Sequence, residues 1–94
     1  MRLVLRAAAV GDLDAIFDFG VAEHGADTAS AYVRSIDAVL DRLLAYPALG
    51  PLHEVRAGLR SIPAGEHRIF YRIEGDAIIV VRVLHKAMDV QRWV

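Results

Sequence analysis

The stretch that decides the fold runs His67-Arg68-Ile69-Phe70-Tyr71-Arg72-Ile73, then Glu74-Gly75-Asp76, then Ala77-Ile78-Ile79-Val80-Val81-Arg82-Val83-Leu84-His85-Lys86. Both long runs are rich in β-branched and aromatic residues, which favour strands. Between them Gly75 supplies the positive φ that a two-residue turn requires. The stretch therefore predicts a β-hairpin with Gly75 and Asp76 as its loop residues. This turn pairs Ile73 with Ile78 and Arg72 with Ile79.

Alternation along the two strands sorts their side chains onto two faces of the hairpin. One predicted face is apolar apart from an arginine, and it carries Ile69, Tyr71, Ile73, Ile78, Val80, Leu84 and Arg82. The other face mixes cations with an aromatic and aliphatic groups, and it carries Arg68, Phe70, Arg72, Ile79, Val81, Val83 and His85. We expect Tyr71 and Ile73 to be core residues, and Arg82 either to pair with a carboxylate or to reach solvent at the sheet edge. The mixed face is a candidate docking surface.

The first half of the chain predicts one short strand and a helical hairpin. Leu3-Val4-Leu5 is strand-like, and apolar residues recur at helical spacing from Ala7 to Val21. Gly25 is expected to end this helix, and Asp27 or Thr28 to cap the next one. A second apolar stripe follows and ends at Pro47; its members are Ala29, Tyr32, Val33, Ile36, Leu40, Leu43 and Leu44. The acidic side chains Asp12, Asp14 and Asp18 are expected on a solvated helix face.

The second half adds one more strand before the hairpin. Leu59-Arg60-Ser61-Ile62 predicts a strand, and Pro63-Ala64-Gly65 a turn. The element order is then β-α-α-β-β-β. We therefore expect one α+β domain over residues 1–94, with a helical hairpin packed on a small, mostly antiparallel sheet.

Composition and charge narrow the partners. The apolar fraction is 55%, above the usual level of roughly 45–50%, so we expect a partner to cover part of the apolar surface. Residues 1–55 carry four Arg and eight acids, whereas residues 56–94 carry six Arg, one Lys and four acids. The net charge is only −1, so direct nucleic-acid binding, which needs a strongly basic domain, is not expected.

Metal and redox chemistry have no support in the residue pattern. The chain has no Cys, and its four His show no metal-binding spacing. We expect no cofactor and no metal. No apolar segment resembles a signal peptide or a membrane-spanning helix. We therefore expect a soluble, cytoplasmic protein.

The element order, together with Gly58-Leu59-Arg60, His67 to Ile73 and Arg82 to Asp89, resembles the RelE/ParE superfamily of toxins from type II toxin-antitoxin systems. The Ile-Phe-Tyr-Arg strand followed by Arg-Val-Leu-His is most similar to the ParE branch. That resemblance implies a toxin that inhibits DNA gyrase by binding, and so not an enzyme in its own right. It also implies a ParD-like antitoxin in a hetero-oligomer. We expect partner contacts at Arg60, Arg68, Phe70, Arg72, Val81, Val83 and His85, with an acidic segment of the antitoxin meeting the arginines.

The RelE branch offers an alternative, a ribosome-dependent mRNA endoribonuclease. Such an enzyme needs acid/base groups and cations around the scissile phosphate. Arg68 and Lys86 match cations of that branch, and His85 stands where some nuclease members carry a catalytic His. Arg56 and Gly58 fall near positions where the branch has lysines, and Arg92 or Trp93 replaces its C-terminal tyrosine. A third alternative is an inactive member that only binds antitoxin.

Overall fold

The computed structural model describes residues 1–94 and places the hairpin at the centre of a four-stranded sheet. The elements are β1 (Arg2–Leu5), α1 (Ala7–His24), α2 (Ala26–Ala45), β2 (Arg60–Ala64), β3 (His67–Glu74), β4 (Ala77–His85) and α3 (Val90–Trp93). The strand order is β1-β4-β3-β2, with β1 parallel to β4 and the other two pairs antiparallel. The predicted α+β class, the element order and the mostly antiparallel sheet are confirmed. The short helix α3 was not predicted.

A single residue, Gly25, joins the two long helices. Its backbone has φ of 89°, its N–H donates to Val21, and its carbonyl accepts from Ala29. A left-handed φ favours glycine, so this position both ends α1 and begins α2. The expectation that Asp27 or Thr28 caps α2 is wrong, because no side chain caps that helix. Neither helix is both long and apolar enough to cross a bilayer.

Strand β2 extends further than predicted. Pro63 pairs with Arg68 and Ala64 with His67, so the turn consists of Gly65 and Glu66 rather than residues 63–65. Pro63 is tolerated because β2 is an edge strand, where one N–H can be missing. The turn needs glycine at position 65, where φ is 61°.

The hairpin register is confirmed near the turn and changes further along. Ile73 pairs with Ile78 and Arg72 with Ile79, as predicted. A β-bulge then shifts the register, so that Tyr71 pairs with Val80 but Phe70 pairs with Arg82. One extra residue in β4 exchanges the faces of every residue after it. The predicted placement of Val83, Leu84 and His85 is therefore wrong.

The sheet has an apolar cluster on each side. On the side facing α1 and α2, which we term the helix face, the strand residues are Ile62, Ala64, Ile69, Tyr71, Ile78, Val80 and Val83. On the opposite side, the loop face, they are Phe70, Val81 and Leu84, and Leu59 just before β2 packs with them. Val55 from the segment before β2 and Met88, Val90 and Val94 from the C-terminal segment cover the loop face.

Two expectations about burial are wrong. Phe70, Val81 and Val83 are only 1%, 7% and 2% exposed, so the hairpin does not offer them as an open docking face. The chain's own irregular segments cover the first two, and the bulge turns Val83 towards the helices. Conversely, Ile73 is 37% exposed because it lies beside the turn, whereas Tyr71 is fully buried as expected.

Candidate functional site

A pocket of about 430 Å³ lies between the C-terminal half of α1, the start of α2 and the far end of the hairpin. Its lining residues are Ala15, Ile16, Phe19, Gly20, His24, Tyr32, Glu66, His67 and His85. The α1 side is mainly apolar, and the strand side carries polar and titratable groups. This volume and this mixture are typical of sites that hold a small group or a side chain.

Two histidines meet on the strand side of the pocket because the bulge places His85 opposite His67. Their rings lie nearly perpendicular, with centroids 5.3 Å apart. The Tyr32 hydroxyl lies 2.5 Å from Nδ1 of His67 and accepts the Glu66 backbone N–H at 2.9 Å. Burial, followed by the proximity of His85, lowers the pKa of His67. His67 therefore favours the neutral state more than a free imidazole does.

Glu66 and Lys86 form an exposed ion pair at the rim of the pocket, with 2.5 Å between Oε2 and Nζ. The hydrogen bond and the opposite charge lower the pKa of Glu66 and raise the pKa of Lys86. The Lys86 backbone N–H also donates to the Glu66 carbonyl. These contacts close the end of the hairpin.

The outer surface of α1 is unusually apolar for an exposed helix. Val10, Phe17 and Val21 are 42%, 36% and 36% exposed, and Phe19 beside the pocket is 66% exposed. Only Ala9 of this helix is fully buried. Soluble surface helices normally confine large apolar groups to the core-facing stripe. Val10, Phe17 and Val21 share one edge of α1 and form a candidate protein contact, whereas Phe19 lies on the opposite edge, beside the pocket.

Asp12 has a structural role that the sequence did not reveal. Its two carboxylate oxygens accept from Nη2 and Nε of Arg82 at 2.6 and 2.8 Å, and one also accepts the Val83 backbone N–H at 2.8 Å. These bonds raise the pKa of Arg82. The Arg82 guanidinium also contacts the Trp93 carbonyl and ring. The predicted pairing of Arg82 with a carboxylate is confirmed, whereas the solvated position expected for Asp12 is wrong.

The predicted arginine site is divided between the two faces. Arg68 donates to Ser61 Oγ at 2.9 Å and Arg72 to the Ala57 carbonyl at 3.2 Å, both on the loop face. Arg60 donates instead to the Gly50 carbonyl at 2.9 Å and lies opposite Tyr71. Of the expected contact residues, Arg68 and Arg72 share a half-buried surface, and Arg60 and His85 do not belong to it.

The residues of the nuclease alternative do not converge. Arg68 bonds to Ser61 on the loop face, whereas His85 lines the pocket on the helix face. Lys86 is engaged with Glu66. One phosphate cannot contact both Arg68 and His85, because the sheet lies between them. The described residues also contain no group of three or more His, Cys, Asp or Glu arranged to hold a metal ion.

Sequence reasoning missed the pocket itself. Tyr32 belongs to the apolar stripe of α2, and helical spacing does not show where its hydroxyl bonds. Period two does place His67 on the same face as Ile69 and Tyr71, so that residue could have been found. The meeting with His85 could not, because a bulge leaves no clear mark in a run of valines and isoleucines.

Comparison with known proteins places this geometry in a family. The family model for the ParE toxin of type II toxin-antitoxin system, parDE, matches residues 3–90. The chain belongs to the ParE toxin family. Toxin ParE1 of Mycobacterium tuberculosis H37Rv is 42% identical over 93 residues, which are 97% of this chain and 95% of that protein. Toxin ParE1 of Caulobacter vibrioides is 36% identical over 89 residues, 94% of this chain and 90% of the relative.

A solved structure shares both the family and the fold. A chain of the chromosomal ParDE toxin-antitoxin system from P. aeruginosa superimposes with a TM-score of 0.80 and 27% identity. The match covers 90% of this chain and 95% of the other. The predicted membership of the ParE branch is confirmed. Membership of a toxin-antitoxin family implies an antitoxin partner.

Proposed function

We propose that this ParE-family chain inhibits DNA gyrase by binding it and is neutralised by a ParD-like antitoxin. The observation that carries the proposal is the family match over residues 3–90, together with relatives named toxin ParE1 along almost their whole length. The similar solved chain from P. aeruginosa belongs to a ParDE system, which supports an antitoxin of the ParD type. Gyrase as the target rests on the ParE resemblance.

The arrangement of the cationic side chains supports a binding mechanism over RNA cleavage. General acid/base catalysis requires the participating groups within hydrogen-bond reach of one substrate. Arg68 and His85 lie on opposite faces of the sheet, and each of the half-buried arginines is engaged by a backbone or side-chain oxygen of the chain. The nuclease alternative therefore lacks a convergent site.

The exposed apolar surface of α1 supports an antitoxin contact. Val10, Phe17 and Val21, on one edge of α1, leave more large apolar groups in water than a helix of a free-standing domain normally does. An amphipathic antitoxin helix laid along α1 would remove them from water, in the helix-in-groove mode of recognition. Acidic residues elsewhere in the same antitoxin would meet Arg68 and Arg72.

The double variant Arg68→Ala/Arg72→Ala tests the loop-face part of this proposal. Both arginines are only half-buried, so we expect the variant to fold, with a loss of about 1–2 kcal/mol from two hydrogen bonds. Antitoxin affinity, growth inhibition or both should weaken. Arg34→Ala/Arg42→Ala, on the exposed side of α2, is a matched control for the charge removed.

The functional test is growth arrest on expression, rescued by the product of the small gene adjacent to that of this chain. Purified toxin should inhibit gyrase supercoiling, and added antitoxin should restore it. A chain that neither arrests growth nor binds that product would contradict the proposal. If the wild type arrests growth and binds that product, but Arg68→Ala/Arg72→Ala and its control show the same antitoxin affinity and growth inhibition, the loop-face contact is wrong and the proposed function stands.

A further inference from the structure

The two histidines of the pocket each present an Nε2 atom that no group of the chain occupies. The Tyr32 hydroxyl contacts Nδ1 of His67 and accepts the Glu66 backbone N–H, and the Ala64 carbonyl at 3.5 Å is a second acceptor within reach of its proton. Nδ1 of His85 accepts the Ala87 backbone N–H at 3.1 Å. That contact assigns the neutral-state proton of His85 to Nε2, and either ring carries an Nε2–H when it is charged. Neither Nε2 atom has a hydrogen-bond partner within the chain.

The pocket is therefore chemically two-sided. The Nε2–H of His85, together with Nε2 of His67, which is a donor when that ring is charged, favours a hydrogen-bond acceptor that carries negative charge. The opposite wall, formed by Ala15, Ile16, Phe19 and Gly20, favours an apolar group. A carboxylate alone would leave the apolar wall exposed to water, and an apolar side chain alone would bury the donors without a hydrogen-bond partner. The complementary ligand has both parts.

We propose that this pocket receives an acidic side chain and an adjacent apolar side chain from the antitoxin. The carboxylate accepts from Nε2–H of His67 and of His85, and the apolar neighbour packs on Ile16 and Phe19. This inference rests on the proposed antitoxin partner. Phe19 lines the pocket and is itself 66% exposed, so the pocket is open to a partner chain.

Proton uptake on binding follows from this arrangement. A carboxylate close to an imidazole favours its charged form and raises its pKa by about 1–3 units. The other charged or titratable groups around the pair are Asp12 and His24 from α1, Tyr32 from α2, and Glu66 and Lys86 from the hairpin end. Glu66 and Asp12 already favour a charge on His67, but they are paired with Lys86 and Arg82, so a ligand carboxylate adds to the stabilisation of a charged imidazole.

The test is isothermal titration calorimetry of the whole toxin with the product of the adjacent small gene, the expected antitoxin. We expect binding about 3- to 10-fold tighter at pH 6.0 than at pH 8.0, with net proton uptake revealed at pH 7.5 by comparing phosphate and Tris buffers. His67→Gln/His85→Gln retains N–H donors and cannot become charged, so it should remove the pH dependence. His53→Gln, a histidine outside the pocket, should leave that dependence unchanged. Thermal melts check that each variant folds.

Replacing the acidic residues of the antitoxin by their amides, one at a time, identifies the ligand. One of these antitoxin variants should bind wild-type toxin with an affinity that no longer depends on pH. The same antitoxin variant should not change the pH dependence of binding to the toxin variant His67→Gln/His85→Gln any further. Binding that is independent of pH and unaffected by the double variant would overturn the inference and leave the proposed function standing. Absence of any binding by the wild type would overturn both.

Discussion

Asp12→Ala should destabilise the fold far more than its place on a surface helix suggests. The change removes three accepted hydrogen bonds, two from the Arg82 guanidinium and one from the Val83 N–H. The side chains of Asp12 and Arg82 are only 13% and 19% exposed. Without Asp12, the guanidinium and a strand N–H lose their partner where little water can replace it.

The magnitude follows from these contacts. Breaking a buried ion pair from one side costs roughly 3–5 kcal/mol. Partial access to water and the better helix propensity of Ala, worth several tenths of a kcal/mol, reduce this figure. We expect a loss of about 2–4 kcal/mol in the free energy of unfolding. For a domain of this size, that lowers Tm by roughly 10–25 °C.

Urea denaturation followed by circular dichroism measures the effect, with Asp14→Ala as the control. Asp14 is exposed on the same helix, so its replacement should change stability by no more than about 0.5 kcal/mol. The double variant Asp12→Ala/Arg82→Ala should lose less than the sum of the single losses, because neither partner is then left alone. If Asp12→Ala and Asp14→Ala unfold at the same urea concentration, the ion pair does not hold α1 on the sheet.

Three further outcomes are expected. Ile73→Ala should cost about 1 kcal/mol or less and Ile69→Ala roughly 2–5 kcal/mol, because Ile73 is 37% exposed and Ile69 fully buried; equal losses in urea titrations would refute the assignment. Tyr71→Phe should cost about 1–3 kcal/mol, since the buried hydroxyl donates to the Pro47 carbonyl and accepts the Gly50 N–H; an unchanged Tm would contradict this. Because the pKa of His67 is lowered in the folded chain, the unfolded chain takes up a proton near pH 6.5 before the folded chain does. His67 therefore contributes its full stabilisation above that pH and progressively less as the pH decreases. In His67→Gln the urea midpoint should depend less on pH between pH 7.5 and 5.5.

The sequence predicted the architecture because its local signals agreed with one another. Gly75 fixed the register near the turn, and the apolar spacing of α1 and α2 marked both helices. The bulge was not predictable, because Val80, Val81 and Val83 fit either face equally well. That single extra residue decides whether His85 joins Arg68 or His67. The candidate pocket was consequently invisible, although Tyr32 and His67 could each be placed on the correct face.

The burial of Phe70 was missed for a different reason. Its cover comes from irregular and C-terminal segments, whose apolar residues Val55, Met88, Val90 and Val94 have no periodic pattern. The position of Asp12 is likewise not predictable, because helical periodicity does not show which acid meets a strand arginine 70 residues later in the chain. Both errors concern tertiary contacts, which sequence spacing does not encode.

Gyrase binding and RNA cleavage are the two activities that most need to be separated for this ParE-family chain. The most direct measurement is gyrase activity on plasmid DNA with increasing amounts of purified toxin, followed by addition of the antitoxin. If the chain acts by binding gyrase, we expect a loss of supercoiling that antitoxin reverses, and the same loss of supercoiling when His85→Gln replaces the wild-type toxin. Full supercoiling activity at saturating toxin, together with mRNA cleavage on programmed ribosomes that is lost in His85→Gln, would contradict it.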